Sequence, residues 1–459
     1  MNLRLNYHYI YIAIIASFFF FWGLNLETIK IASIFFSPGD PYFEFLSKIK
    51  LSYLIIFLII PIFHNSIKER APLFKKIFNH QQYIILFTIF VVAHFFLVKI
   101  YYHETIDKSE IANLFYLFLL SVIYCHYREF ILVNFKKILT LYLVIFVLFS
   151  VIEGSQEFLT GQCNNDILII EIIQRYLKIS LTNSIYLENS HLAMMTIAVF
   201  FSSLYILVKE KKKNVLFLSI FSIEVLIVLN NLSTTYFVGY LFSQIVLLLF
   251  FLNKINYKFW IISVLFLFIN SYLFLSDKNC TTKITDFKIK EVLEENLEKR
   301  GTNLTTLVYK RSIILALHTL KDHSLGWGMD GMDDATNNLM SKYNVEQCLE
   351  SSVIVCTDEK YEKWVLDKKT DWRLVSLNVK DGLSNLFKLF TEFGIFAFII
   401  YFYFIKYILN IKNINSYNLF IIVLFITMSI RGAGYFNGGF IFCVLEFFYH
   451  QKLYKKLKF

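Results

Sequence analysis

Apolar runs long enough to cross a membrane recur through the chain, and they limit its fold more than any other feature. Residues 83–102, YIILFTIFVVAHFFLVKIYY, form one of them. A helix rises ~1.5 Å per residue, so such a run covers a hydrocarbon core of ~30 Å. Similar stretches occupy residues 8–26, 47–63, 111–127, 138–154, 190–208, 215–231, 236–252, 259–275, 386–407, 418–434 and 438–450. With 57% hydrophobic residues, 51 Phe, 29 Tyr and only 4 Pro, the sequence holds more apolar side chain than a soluble domain can hide. It predicts an all-α polytopic membrane helical bundle of about 12 transmembrane helices.

The formal net charge of +10 fits this reading and does not call for nucleic acid. Lys and Arg gather at the cytoplasmic ends of membrane helices. With the N-terminus inside, Lys209, Lys211, Lys212 and Lys213 fall inside, as do the basic segments around Arg70 and Arg128 and the lysine-rich tail. That bias predicts both termini in the cytoplasm. Met1–Asn6 leads into an apolar run with no small-residue cleavage site, so the first helix is expected to stay. Two outside segments are then long, 155–189 and 276–385, and only the second has globular composition. The chain divides into 1–275 with nine helices, 276–385 as a large and mostly helical outer loop, and 386–459 with three helices and a basic tail. Within the loop, residues 286–323 read as two helices broken near Gly301, with Thr302 or Asn303 capping the second.

Cys125 and Cys443 lie in predicted spans and are expected to be inert. Cys163, Cys280, Cys348 and Cys356 fall outside, where three disulfide pairings are open to them. Cys348 is closest in sequence to Cys356, which leaves Cys163 for Cys280; four free thiols is the alternative. No CxxC or His cluster points to a structural metal, and no cofactor is expected.

The chemistry-bearing residues lie late in the chain. In YKRSIILALHTLKDHSLGWGMDGM, Tyr309 to Met332, Arg311 and His318 share a helical face with Leu307, Ile314 and Leu315. Gly326-Trp327-Gly328 follows as a turn. LSNLFKLFTEFGIFAF then opens the next helix, and SIRGAGYFNGG sets Arg431 in an apolar span, where a charge costs ~3 kcal/mol. Upstream stand IYLENSHLAM (Ile185–Met194) and LNNLSTTYFVGY (Leu229–Tyr240). In order and spacing, over about residues 140–450, these segments resemble the O-antigen ligase/polymerase superfamily. Arg311 matches its arginine, Gly326 and Gly328 its turn, and Glu392-Phe393-Gly394 its helix end. SIRGAGYFNGG is most similar to Wzy-type polymerases. Ligases carry a His-Asn or His-Ser pair where this chain has Leu383-Ser384, which favours polymerase. LSTTY also lacks an arginine that many relatives have, and Arg431 is the candidate for its place.

The resemblance implies a GT-C-like membrane glycosyltransferase of the bacterial inner membrane. It would transfer a growing glycan from undecaprenyl diphosphate to the next lipid-linked repeat unit at the periplasmic face, alongside a chain-length regulator and a flippase. Guanidinium groups suit the diphosphate, because their fork meets phosphate oxygens bidentately and stays charged. Arg311 and Arg431 are the expected diphosphate ligands. The acceptor hydroxyl needs a base, with Glu188, His191 and His318 as candidates. Trp327, Gly326 and Gly328 are the expected glycan contacts. Each has a plainer reading: a snorkelling Arg311, a structural His318, an interfacial Trp327. His94 and Glu224 lie mid-span, Glu392 reads as a packing residue, and the aspartates of GMDDAT as a solvated turn. The rival functions are a ligase acting on lipid A core and a flippase. Against the flippase stand one large late loop and no internal repeat.

Overall fold

The computed structural model describes residues 7–20, 50–68, 81–102, 106–160, 189–210, 234–275, 304–342, 384–432 and 434–449. They are helical, with no strand among them. In order come α1 (Tyr7–Phe20), a 3-10 segment (Leu51–Leu58) running into α2 (Ile59–Lys68), α3 (Gln82–Tyr101) and α4 (Lys108–Thr160). Then follow α5 (Asn189–Glu210), α6 (Thr234–Phe251), α7 (Tyr257–Leu275), α8 (Leu304–Asp322) and α9 (Met332–Lys342). The last group is α10 (Asn385–Phe393), a 3-10 turn (Gly394–Phe396), α11 (Ala397–Asn410), α12 (Ser416–Ile430) and α13 (Phe440–Tyr449). Three stretches are long and apolar enough to cross a membrane: Gln82–Tyr101, Lys108–Ile145 and Asn385–Asn410. Shorter apolar helices coincide with other predicted spans, while 215–231 lies outside the described residues.

The core is built around α12. Its sequence, SYNLFIIVLFITMSI, is apolar on every side, and every residue from Ser416 to Ser429 is buried. A helix apolar all round must be wrapped by others, and α5, α6, α10, α13 and α4 all pack against it. The polar residues at its start are met locally. Asn415 caps the first turn by accepting from the Asn418 N–H at 2.8 Å, and Asn418 donates to the Tyr407 hydroxyl at 2.7 Å. The exterior has the opposite character. Leu86, Ile89 and Leu97 of α3, Leu241 and Leu249 of α6, and Phe398, Phe402 and Leu409 of α11 are exposed. Apolar surface on this scale suits contact with lipid.

Two predicted boundaries differ. The turn expected between spans 111–127 and 138–154 is absent, since α4 runs unbroken from Lys108 to Thr160. No Gly or Pro interrupts the connecting REFILVNFKKIL, so nothing in it breaks a helix. Arg128, which suggested a loop by its charge, is instead buried. The span predicted over 418–434 stops at Ile430, leaving Arg431 as the cap residue.

Arg128 is held at the end of the bundle away from Arg431. Its Nε and Nη2 donate to the Glu446 carboxylate at 3.0 and 2.8 Å. Tyr124 donates to the same carboxylate and lies 3.0 Å from the Tyr417 hydroxyl. The guanidinium also sits 4.0 Å from the centre of the Tyr449 ring. Removing one charge strands the other, at a cost of ~3–5 kcal/mol, whereas removing both is far milder. Arg128→Met and Glu446→Leu should each lower the thermal midpoint of the detergent-purified chain sharply. The double variant should recover most of the loss. A double variant as unstable as the sum of the singles would show that the pair is not coupled.

Candidate functional site

The site forms where α12 ends. Helix α5 runs antiparallel to α12: Thr427 Oγ1 lies 3.5 Å from the Met194 carbonyl, and Tyr205 donates to the Ile414 carbonyl at 2.5 Å. The first turn of α5, which carries His191, is therefore level with Ile430. Helix α10 arrives from another side. Ser384 caps it by accepting from the Phe387 N–H, and its hydroxyl donates to the Ser429 carbonyl at 2.6 Å. Asn385 accepts from the Gly434 N–H at 3.2 Å through Oδ1. Gly432 lies so close to Asn385 that a Cβ there would overlap the amide. The segment after Arg431 is thus moulded onto the start of α10, and Arg431 itself is 6% exposed.

Helix α8 closes a third side. Tyr309 donates to the Ile430 carbonyl, and its ring meets Phe387 edge-on at 5.7 Å. Burial raises the Tyr309 pKa above its ordinary value, against opposing effects from Ser384 and the Arg431 charge. The phenol stays protonated and keeps donating. Arg311 follows two residues later on the same helix. Arg311 and Arg431, far apart in sequence, therefore belong to two segments joined by one hydrogen bond.

The glycine turn docks on the far end of α10. Trp327 N–H donates to Thr391 O at 3.1 Å, Gly328 N–H to Glu392 O at 2.8 Å, and Ile395 N–H to Ser324 O at 2.9 Å. Gly326 and Gly394 carry φ of 87° and 53°, which glycine adopts without steric cost. A Cβ on either would run into the backbone of the other segment. From α3, His94 Nε2 meets the Leu325 carbonyl at 2.7 Å while its ring stacks on Phe393.

Charged groups line this end of the bundle. Lys99 of α3 bridges Glu110 of α4 and Asp334 of α9, each at 2.8 Å. Asn113 donates to Asp330 Oδ2 at 2.9 Å. On α10, Asn385, Lys388 and Glu392 fall at i, i+3 and i+7 and share a face. Lys388 Nζ is 3.6 Å from Glu392 Oε1 and 5.1 Å from the centre of the Tyr435 ring. Glu392 is wholly buried. The Tyr435 hydroxyl and the Asp330 N–H face its carboxylate without reaching ordinary hydrogen-bond geometry.

Several expectations change. Trp327 is 3% exposed, packed with Leu315, Met332 and Leu339, and its Nε1 donates to Thr319 Oγ1 at 3.2 Å. Tyr102 and His323 complete a three-ring cluster with it, so it anchors the loop and offers no open face to a sugar. Gly326 and Gly328 serve the docking on α10 rather than folding back over a ligand. His318 pairs with Asp322 at 3.1 Å and lies nine residues past Tyr309, ~14 Å along the helix, away from the Arg431 cluster. Asp334 is no solvated turn residue but a partner of Lys99. His94 is a fastener of the turn. Cys125 and Cys443 are buried and free. Glu188, Glu224 and the four outside cysteines lie outside the described residues. Lys388, Asp330 and Tyr435 were missed. For Lys388 and Glu392 a signal existed, an i, i+4 charge pair inside an apolar helix.

Chemically, this end brings cationic, carboxylate and phenolic groups together beside a tightly docked backbone. Tyr309→Phe should strand the Ile430 carbonyl and cost about 1–3 kcal/mol, read as a lowered thermal midpoint. Gly326→Ala should cost more, because strain at positive φ adds to the collision with Glu392. If Gly326→Ala leaves the midpoint unchanged, the docking does not hold the site together.

Comparison of the chain with protein-family models, with curated proteins and with solved structures finds no match.

Proposed function

We propose that the chain is a membrane glycosyltransferase that polymerises polyprenyl-diphosphate-linked oligosaccharide repeat units. The observation that carries this reading is the hydrogen bond from Tyr309 to Ile430, which brings the Arg311 helix against the end of the Arg431 helix. In the reaction, the bond between the anomeric carbon of the growing chain and its diphosphate oxygen breaks. A new bond forms to the acceptor hydroxyl oxygen, the hydroxyl proton passes to a base, and the lipid diphosphate leaves. Negative charge grows on that leaving group, so cations placed in advance lower the barrier. Arg431 and Arg311 take that role. Lys388 sits close to Glu392 and balances it.

The setting goes with this chemistry. The bundle lies in the bacterial inner membrane, with the α8–α9 loop periplasmic. A reporter fused at Ser341 should then give a periplasmic signal, and one after Lys258 a cytoplasmic signal. A cytoplasmic signal at Ser341 would put every group named above in the wrong compartment.

The direct test is polymer formation by the purified chain in proteoliposomes. The substrate is the undecaprenyl-diphosphate-linked repeat unit extracted from the cells that encode it. Wild type should form a ladder of products. Arg431→Lys keeps the charge and loses the fork, so yield should fall at least ~10-fold with normal protein levels. Arg311→Lys should behave likewise. Wild-type polymer from both variants would remove the diphosphate role of the arginines.

A further inference from the structure

We propose that Asp330 is the base that takes the proton of the acceptor hydroxyl; this rests on the glycan-transfer reading above. The first ground is reach. The cluster holds two carboxylates, but Glu392 is sealed on every side, whereas Asp330 is only partly buried.

The second ground is placement. Asn113 of α4 holds Oδ2 of Asp330 at 2.9 Å, and the Asp330 N–H is turned toward Glu392. The carboxylate is thus oriented by one element and its backbone by another. The third ground is the cluster's unmet bonding. The Tyr435 hydroxyl is buried to 6% exposure and makes no hydrogen bond within the protein, and neither do the two oxygens of Glu392. Buried polar atoms left this way point to a site that a ligand completes.

Backbone conformation agrees with this assignment. Asp330 has φ 70°, and no other non-glycine residue among the described ones has a positive φ. Glycine would adopt that conformation at no cost, so the strain is tolerated for the sake of the side chain. In the transfer step, Asp330 accepts the hydroxyl proton as the hydroxyl oxygen bonds to the anomeric carbon. The diphosphate departs with the electron pair of the broken bond.

Three variants test this in the proteoliposome assay with the same extracted lipid-linked unit. Asp330→Asn keeps the shape and an acceptor for Asn113 but loses the basicity. It should lower the rate of polymer formation at least ~100-fold, with donor binding and thermal midpoint unchanged. Asp330→Gly relieves the backbone, so it should match or exceed the wild-type midpoint and still be inactive. Asp330→Glu should retain more activity than either. If Asp330→Asn works within tenfold of wild type while wild type polymerises, Asp330 is not the base and the glycan-transfer reading stands. If the wild-type chain makes no polymer and releases no lipid diphosphate, both fall.

Discussion

Everything at the candidate site depends on one close approach of backbone to backbone, where the turn after α8 crosses the end of α10. Gly326 and Gly394 meet there without side chains, and three amide hydrogen bonds lock Ser324–Gly328 to Thr391–Ile395. A hydrogen bond between backbones needs such contact, and at these two places only glycine allows it. The crossing sets the position of Trp327, which anchors the loop, and of Asp330, which follows two residues after Gly328. It also fixes where α10 stops and α11 begins. The α8–α9 segment is therefore mounted on the bundle rather than hung beside it.

The bundle makes that mounting possible through α12. A helix covered on every side has no freedom to tilt, so its end is a fixed point. Ser384, Asn385 and Tyr309 all bond to the backbone around that end. The polar residues of the site lie at the mouth of a rigid apolar shaft, and their mutual distances follow from helix packing rather than from loop flexibility.

The sequence made part of this plain. The apolar runs give the helices, and GWG and RGAGYFNGG give the two glycine-dependent junctions. The start of α8 was legible because Thr302 and Asn303, residue types that favour helix starts, stand just ahead of Leu304 in the sequence. Arg128 misled because hydropathy treats a charge as a loop, while here Glu446, more than three hundred residues away, pairs it inside the bundle. Trp327 misled because a tryptophan between glycines looks exposed; the ring partners that bury it come from α3 and the end of α8. Asp330 carries no local pattern at all. Its setting exists only once α4, α10 and the Tyr435 segment have met.

Lys99 says something about the order in which the chain is made. It is nearly sealed from solvent yet binds two carboxylates, one eleven residues ahead of it and one 235 residues ahead. Synthesis runs from the N-terminus, so Glu110 is available almost at once, while Asp334 appears only after more than two hundred further residues. The near carboxylate neutralises the lysine during that interval, and the α3–α4 hairpin does not have to wait with an isolated charge. The far carboxylate then finds a lysine already oriented. A residue that reads in the finished fold as a bridge between two helices is, during translation, a receptacle prepared early for a loop that has not yet been made.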